Sequence, residues 1–155
     1  MAARRSAIES VTPELLLTAT LTVPTDGAGF VDITRDVNGF LDDCKAGQGT
    51  LLVFLRHTSA SLTIQENADP DVQVDLLTAL SRLAPEGAGW VHDAEGPDDM
   101  PAHVKAMLTG VSLTLPVKDG AAALGTWQGI YLIEHRRAAH QRDIVLQFIG
   151  SRRSL

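Results

Sequence analysis

The chain has 155 residues, of which 45% are hydrophobic and 21% charged, and its formal net charge is −6. A chain of this length can bury a sizeable core, so we treat residues 1–155 as a single domain. The acidic balance argues against a basic nucleic-acid-binding face, and the sequence has neither a signal-peptide pattern nor an apolar run of about 18 residues. The single cysteine, Cys44, cannot form an internal disulfide, so nothing indicates an oxidising compartment. Together these features predict a cytoplasmic protein without nucleic-acid or membrane partners.

Strand patterns dominate the first half of the chain. Leucine and valine alternate with threonine in the first strand, and a nearly continuous apolar run forms a later, buried strand that ends at His57. The strand that follows looks like the neighbour of this buried strand. The predicted elements are strands at 14–25, 29–34, 49–57 and 59–67 and a helix at 34–47.

The second half adds two capped helices and three strands. Asp69 is the predicted N-cap of a helix that ends before Pro85, and Gly110 ends a second helix whose first turn contains His103. Strands follow at 112–117, 125–135 and 142–150, the last two as a pair joined by an arginine-rich hairpin. Apolar strands with helices to one side predict an α+β fold.

Four of the five histidines lie where predicted elements end: His57, His92, His103 and His135. Neutral imidazole is the commonest zinc ligand in proteins, and three imidazoles with an open fourth position form a catalytic type of site. The sequence contains no local metal motif such as HxxxH or CxxC, so the fold must assemble any site. We expect His57, His92 and His103 to converge and to bind a divalent metal, preferably zinc, with magnesium as the alternative, or else a phosphate.

Hydroxyl, amide and guanidinium groups near these histidines could bind a substrate. Thr58 and Ser59 follow the first histidine, Gln128 lies in the segment GTWQG, and Arg136 and Arg142 flank the predicted hairpin. Arginine forks suit phosphate, although a charged hairpin tip would have the same composition. The hydroxyls equally suit backbone hydrogen bonds. These five residues are our candidates for binding a phosphorylated small molecule.

Three segments resemble the YjbQ family, also described as secondary thiamine-phosphate synthases. The segments are HTSASLTIQENADPDV, HDAEGPDDMPAHVKAMLTG and SLTLPVKDGAAALGTWQGIYLIEHR. The resemblance runs from about residue 15 to residue 150. It implies an α+β fold with mostly antiparallel sheets, helices packed to one side and assembly as a homotrimer around a threefold axis.

The resemblance also implies an activity, in which an aminopyrimidine pyrophosphate and a thiazole phosphate are joined with loss of pyrophosphate. The matching positions are His57, His92 and His103, together with Glu66, Asn67 and Asp69, while His135 matches some branches of the family. We take the four histidines as candidate catalytic residues. A metal-dependent hydrolase and a non-catalytic trimer that binds a metal or a phosphorylated metabolite are the alternatives, and the sequence does not decide among the three.

Overall fold

Two antiparallel sheets and three helices make up the computed structural model, which describes residues 3–153. The strands are β1 (Leu15–Asp26), β2 (Gly29–Asp32), β3 (Ala46–Leu55), β4 (Ala60–Glu66), β5 (Ser112–Lys118), β6 (Ala121–Ala122), β7 (Gln128–Glu134) and β8 (Ala139–Arg152). The helices are α1 (Thr34–Asp43), α2 (Pro70–Leu83) and α3 (Asp99–Thr109). The strand orders are β1-β8-β3-β5-β6 in the large sheet and β2-β7-β4 in the small one. The predicted α+β class is confirmed.

Period-two alternation places one face of the large sheet in the core. Leu51, Val53 and Leu55 on β3 are essentially fully buried, whereas Phe54 between them is 41% exposed. Because alternate side chains of a strand point to opposite faces, the apolar run of β3 supplies both the core and an apolar outer surface. Burial of each large aliphatic side chain contributes roughly 1.5–3 kcal/mol.

The two later helices lie against the small sheet. Asp69 accepts a hydrogen bond from the Asp71 amide at 2.9 Å and Pro70 is the first residue of α2, as the capping pattern predicts. Helix α3 packs on β4 and touches α2, while α1 contacts strands of both sheets. Helix α3 begins at Asp99, so His103 lies in its second turn. The sequence had placed His103 in the first turn.

Two predicted strand pairings are wrong. Strands β3 and β4 are consecutive but belong to different sheets, and so do β7 and β8. Strand β7 pairs with β2 and β4, with Glu134 opposite Ala60, whereas β8 pairs with β1 and β3. The segment 135–138 therefore crosses from one sheet to the other and is not a hairpin. This crossing brings Arg136 and Arg142 to the junction between the sheets.

The antiparallel strands β3 and β8 approach each other closely at two glycines, Gly49 and Gly150. A Cβ atom at Gly49 would meet the Ile149 carbonyl and the Gly150 Cα, and a register shift between Ala46 and Gly49 interrupts the ladder nearby. Glycine permits this close backbone approach because it lacks a Cβ. Within residues 3–153, no helix has the length and apolarity needed to cross a bilayer.

Candidate functional site

The acidic loop that precedes α3 (residues 92–98) and α3 itself bring His92, Asp99 and His103 together. The Oδ2 atom of Asp99 lies 2.8 Å from His92 Nε2 and 3.3 Å from His103 Nε2, and one ligand atom from each residue lies within 4.8 Å of the others. Asp99 and His103 are four residues apart in α3, a spacing that places both on one face of the helix. Asp99 is 1% exposed, whereas both imidazoles are partly open to solvent.

A backbone carbonyl orients the His103 ring. His103 Nδ1 lies 2.9 Å from the Thr58 carbonyl oxygen, which can only accept a hydrogen bond, so Nδ1 carries a proton. In the neutral ring, Nε2 then presents a lone pair to the Asp99 carboxylate. Two acceptors at 3.3 Å repel each other unless a proton or a cation lies between them. An imidazole whose second nitrogen is held by a carbonyl is the usual arrangement of a metal-ligating histidine.

Arg136 holds the acidic loop against this cluster. Its Nη1 contacts Asp99 Oδ1, its Nε lies 3.1 Å from Asp98 Oδ2, and its Nη2 donates to the Glu95 carbonyl at 2.8 Å. Burial raises the pKa of Asp98, but hydrogen bonds from the Arg137 amide and the Arg136 guanidinium more than offset it and leave that pKa lowered. The guanidinium expected to bind phosphate is thus used on carboxylates, and it leaves Asp99 Oδ2 facing the imidazoles.

His57 lies outside this cluster. Its Nε2 accepts a hydrogen bond from the Asp143 amide at 2.8 Å, and its Nδ1 faces Arg142 Nη1 at 3.4 Å. Burial, with the nearby Arg142 charge, lowers the pKa of His57. The three residues that the structure assembles are therefore His92, Asp99 and His103, with Asp99 in the place that we expected His57 to take. The i, i+4 spacing of Asp99 and His103 is the signal in the sequence for this pair of ligands.

Arg142 forms a buried ion pair with Glu134 at the junction of the sheets. The guanidinium grips the carboxylate in a two-point fork at 2.7 and 2.6 Å, and Thr25 donates to Glu134 at 2.7 Å. Burial alone would raise the pKa of Glu134, but hydrogen bonds from Arg142, the Arg136 amide and Thr25 lower it. Ser59 Oγ accepts from the same guanidinium at 3.1 Å. Arg142 and Ser59 are both buried, so neither presents a free polar group to a solvent-borne phosphate.

The remaining candidates lie elsewhere. His135 is 3% exposed, with Nε2 at 2.8 Å from Ser61 Oγ, and burial lowers its pKa to about 4. Gln128 is at the start of β7, six residues before Glu134, or roughly 20 Å away at about 3.3 Å per residue. The Gln128 side chain accepts a hydrogen bond from the Gly125 amide at 2.8 Å and closes the GTWQ turn. His135 is therefore shielded from solvent, and Gln128 lies at the opposite end of β7 from Glu134.

A cleft of about 530 Å³ adjoins the cluster between the end of β3 and α3. His57, Thr58 and His103 line it, together with apolar side chains that include Phe54 and Met107. Thr58 is exposed here, so its hydroxyl can reach a ligand. His103 thus belongs to both the cluster and the cleft, which makes the two features one continuous candidate site.

Comparison with known proteins identifies similar chains across most of the sequence. A family model described as UPF0047 protein YjbQ-like matches residues 19–151. A UPF0047 protein of Synechocystis is 43% identical over 131 residues, which cover 84% of this chain and 89% of that protein. The UPF0047 protein YjbQ of Salmonella typhimurium is also 43% identical, over 84% of this chain and 96% of its own length.

Solved structures show the same architecture. A hypothetical protein from Aeropyrum pernix superposes with a TM-score of 0.80 at 29% identity and covers 87% of this chain and 99% of its own. A conserved hypothetical protein from Thermus thermophilus has a TM-score of 0.76 at 38% identity, with coverage of 84% and 98%. The names of these four proteins state no activity.

Proposed function

The chain belongs to the YjbQ/UPF0047 family, and we propose that it is a divalent-metal-dependent enzyme acting on phosphorylated small molecules. Its metal centre would consist of His92, Asp99 and His103. The observation that carries this proposal is the convergence of one possible ligand atom each from His92, Asp99 and His103 within 4.8 Å of one another, with the His103 ring held by the Thr58 carbonyl. A divalent cation bound there would be held by two imidazoles and one carboxylate.

Zinc fits this ligand set better than magnesium. Two imidazole nitrogens and one carboxylate oxygen are typical zinc ligands, whereas magnesium prefers oxygen donors alone. A zinc ion held by these three residues would have an open position for water or a substrate oxygen and would supply Lewis-acid chemistry there. The protein supplies the rest: Arg136 fixes Asp99 through Oδ1, and the Thr58 carbonyl fixes the His103 ring.

The thiamine-phosphate synthase reaction is the first candidate activity. In it, the C–O bond to pyrophosphate breaks, its electron pair leaves with the pyrophosphate, and the thiazole nitrogen forms the new C–N bond. The anionic leaving group needs a cation close by. Arg136 and Arg142 are committed to carboxylates, which supports a role for the metal in binding the phosphate oxygens.

Metal-dependent hydrolysis is the second candidate, because two histidines and a carboxylate with an open position also form the zinc site of hydrolases.

We further propose a homotrimer. The support is the family resemblance and the apolar outer face of the large sheet, where Leu16 and Ile149 are 64% and 46% exposed. A cytoplasmic location remains our expectation.

Metal titration tests the centre. Calorimetric titration of metal-free protein with zinc should show binding that Asp99→Asn and His103→Ala each weaken by at least about 100-fold, because each removes a direct ligand. His140→Ala is the matched control, since this histidine is not a member of the cluster and its Nδ1 lies on the Ala138 carbonyl. Circular dichroism should show that all variants are folded. Equal zinc affinity in the wild type and both ligand variants would reject the centre.

Product analysis then separates the activities. Zinc-loaded protein is incubated with the aminopyrimidine pyrophosphate, with and without the thiazole phosphate, and the products are separated by chromatography. Thiamine phosphate formed only with both substrates supports the synthase, whereas hydrolysis of the pyrophosphate alone supports the hydrolase. Either activity should be lost in Asp99→Asn and retained in His140→Ala. Zinc binding without any turnover of these compounds would contradict both reactions.

A further inference from the structure

The cleft beside the proposed metal centre has apolar walls. Phe54 is 41% exposed and Met107 is 78% exposed, and both line the cleft together with Val111. Exposed apolar side chains of this size that line one concavity are typical of a site for the apolar body of a small molecule. His103 lies at the same cleft, so a ligand held there would be next to the His92–Asp99–His103 cluster.

Arg56 supplies this cleft with a free positive charge. The residue is exposed and lines the cleft, and its guanidinium has neither an ion pair nor a hydrogen bond with any residue in the range 3–153. Its backbone amide donates to the Asp143 carbonyl at 3.0 Å, which fixes the position of its Cα. The guanidinium groups of Arg136 and Arg142, in contrast, form ion pairs with carboxylates.

Thr58 adds a neutral donor to the same surface. It is exposed, lines the cleft and lies two residues after Arg56, and its backbone carbonyl is already engaged by His103. A guanidinium fork and a hydroxyl are a common donor set for phosphate oxygens. Arg56 therefore places a positive charge on an apolar cleft of a chain whose net charge is −6.

We propose that the cleft binds a phosphate monoester with an aromatic or other apolar body, with Arg56 as the phosphate-binding arginine. The Arg56 fork and the Thr58 hydroxyl hold the phosphate, while Phe54 and Met107 cover the body. The proposal rests on the proposed function in one respect, since it takes the cleft to be the substrate site of the metal centre. It assigns the phosphate of that substrate to Arg56, in place of Arg136 and Arg142, which are paired with carboxylates.

Ligand titrations with phenyl phosphate and inorganic phosphate test the proposal. Wild-type protein should bind phenyl phosphate more tightly than inorganic phosphate. Arg56→Gln should weaken binding of both by about tenfold or more, because a charged fork is lost. The control is Arg82→Gln, which removes the same charge from an exposed position on α2, away from the cleft. Equal affinities in Arg56→Gln and Arg82→Gln would overturn the proposal.

Met107→Ser tests the apolar wall separately. This variant should weaken phenyl phosphate several-fold and leave inorganic phosphate unchanged, because only the former has a body to cover. All three substituted residues are exposed, so the variants should fold, which circular dichroism checks. If wild-type protein does not prefer phenyl phosphate, or if Met107→Ser affects both ligands equally, the assignment of an apolar body is wrong.

Titrations with and without zinc distinguish this proposal from the proposed function. If the wild type binds no zinc but binds phenyl phosphate through Arg56, the metal centre is wrong and the phosphate-binding cleft stands. If zinc binds through Asp99 but Arg56→Gln changes nothing, the cleft assignment is wrong and the metal centre stands.

Discussion

The buried imidazole of His135 should make the stability of the protein depend on pH. His135 is 3% exposed, and burial together with the Lys105 charge lowers its pKa from the ordinary value of 6.5 to about 4. The unfolded chain takes up a proton at this imidazole near pH 6.5, whereas the folded protein does so only near pH 4. Between these values the unfolded state holds more protons, so the free energy of unfolding falls as the pH is lowered.

The size of the effect follows from the two pKa values. Each pKa unit corresponds to about 1.4 kcal/mol, so full protonation across the interval from 6.5 to about 4 removes about 3 kcal/mol. About 2 kcal/mol of this should already be lost between pH 7.5 and pH 5. That is a large share of the 5–15 kcal/mol, or thereabouts, that stabilises a domain of ordinary size.

Urea unfolding of the wild type and His135→Gln, at one protein concentration and at several pH values from 5 to 7.5, measures this contribution. Glutamine keeps an amide that can reach the Ser61 hydroxyl, but it does not titrate. The difference in unfolding free energy between the two proteins should therefore shift by about 2 kcal/mol in favour of the variant as the pH falls from 7.5 to 5. His140→Gln controls for loss of an imidazole at the surface. A difference between wild type and His135→Gln that stays constant over this pH range would refute the reasoning.

Three further predictions concern the framework. Glu134→Gln should lower the free energy of unfolding by about 3–5 kcal/mol, because it leaves the buried Arg142 without its counter-charge. The control, Glu86→Gln, breaks the exposed pair with Arg137 and should cost no more than about 1 kcal/mol. Similar urea midpoints for the two variants would contradict this prediction. Gly49→Ala should lower the free energy of unfolding by about 3 kcal/mol, since its Cβ would meet the Ile149 carbonyl. Gly29→Ala, which has open space around it, should change the melting temperature little. Equal melting temperatures for the two variants would show that β3 and β8 can separate without cost. Light scattering at micromolar concentration should give a mass three times that of the 16.6 kDa chain, and a monomer mass would reject the trimer.

Local patterns were sufficient for much of the secondary structure. The Asp69 cap and Pro70 predicted the start of α2 correctly, and Gly110 predicted the end of α3, because capping depends on residues within one turn. Alternating leucine and threonine predicted β1 for the same reason. The pairing of strands was harder, since any antiparallel neighbour satisfies the backbone of β4 or β8 equally well. The switch between sheets after Glu134 has no signature in the sequence.

The candidate site shows the same division. The sequence by itself determined the residue types: histidines on both sides of an acidic segment, arginines in an acidic chain, and the spacing that matches a family. Only the tertiary structure decided which of these groups meet. It set Asp99 between His92 and His103, turned His57 toward the Asp143 amide, and left Arg56 free while Arg136 and Arg142 became paired. The physical reason is that the chemistry of a side chain depends on its residue type alone, whereas its partner is set by the long-range packing of the two sheets. A charged group is available to a ligand only where this packing has left it unpaired.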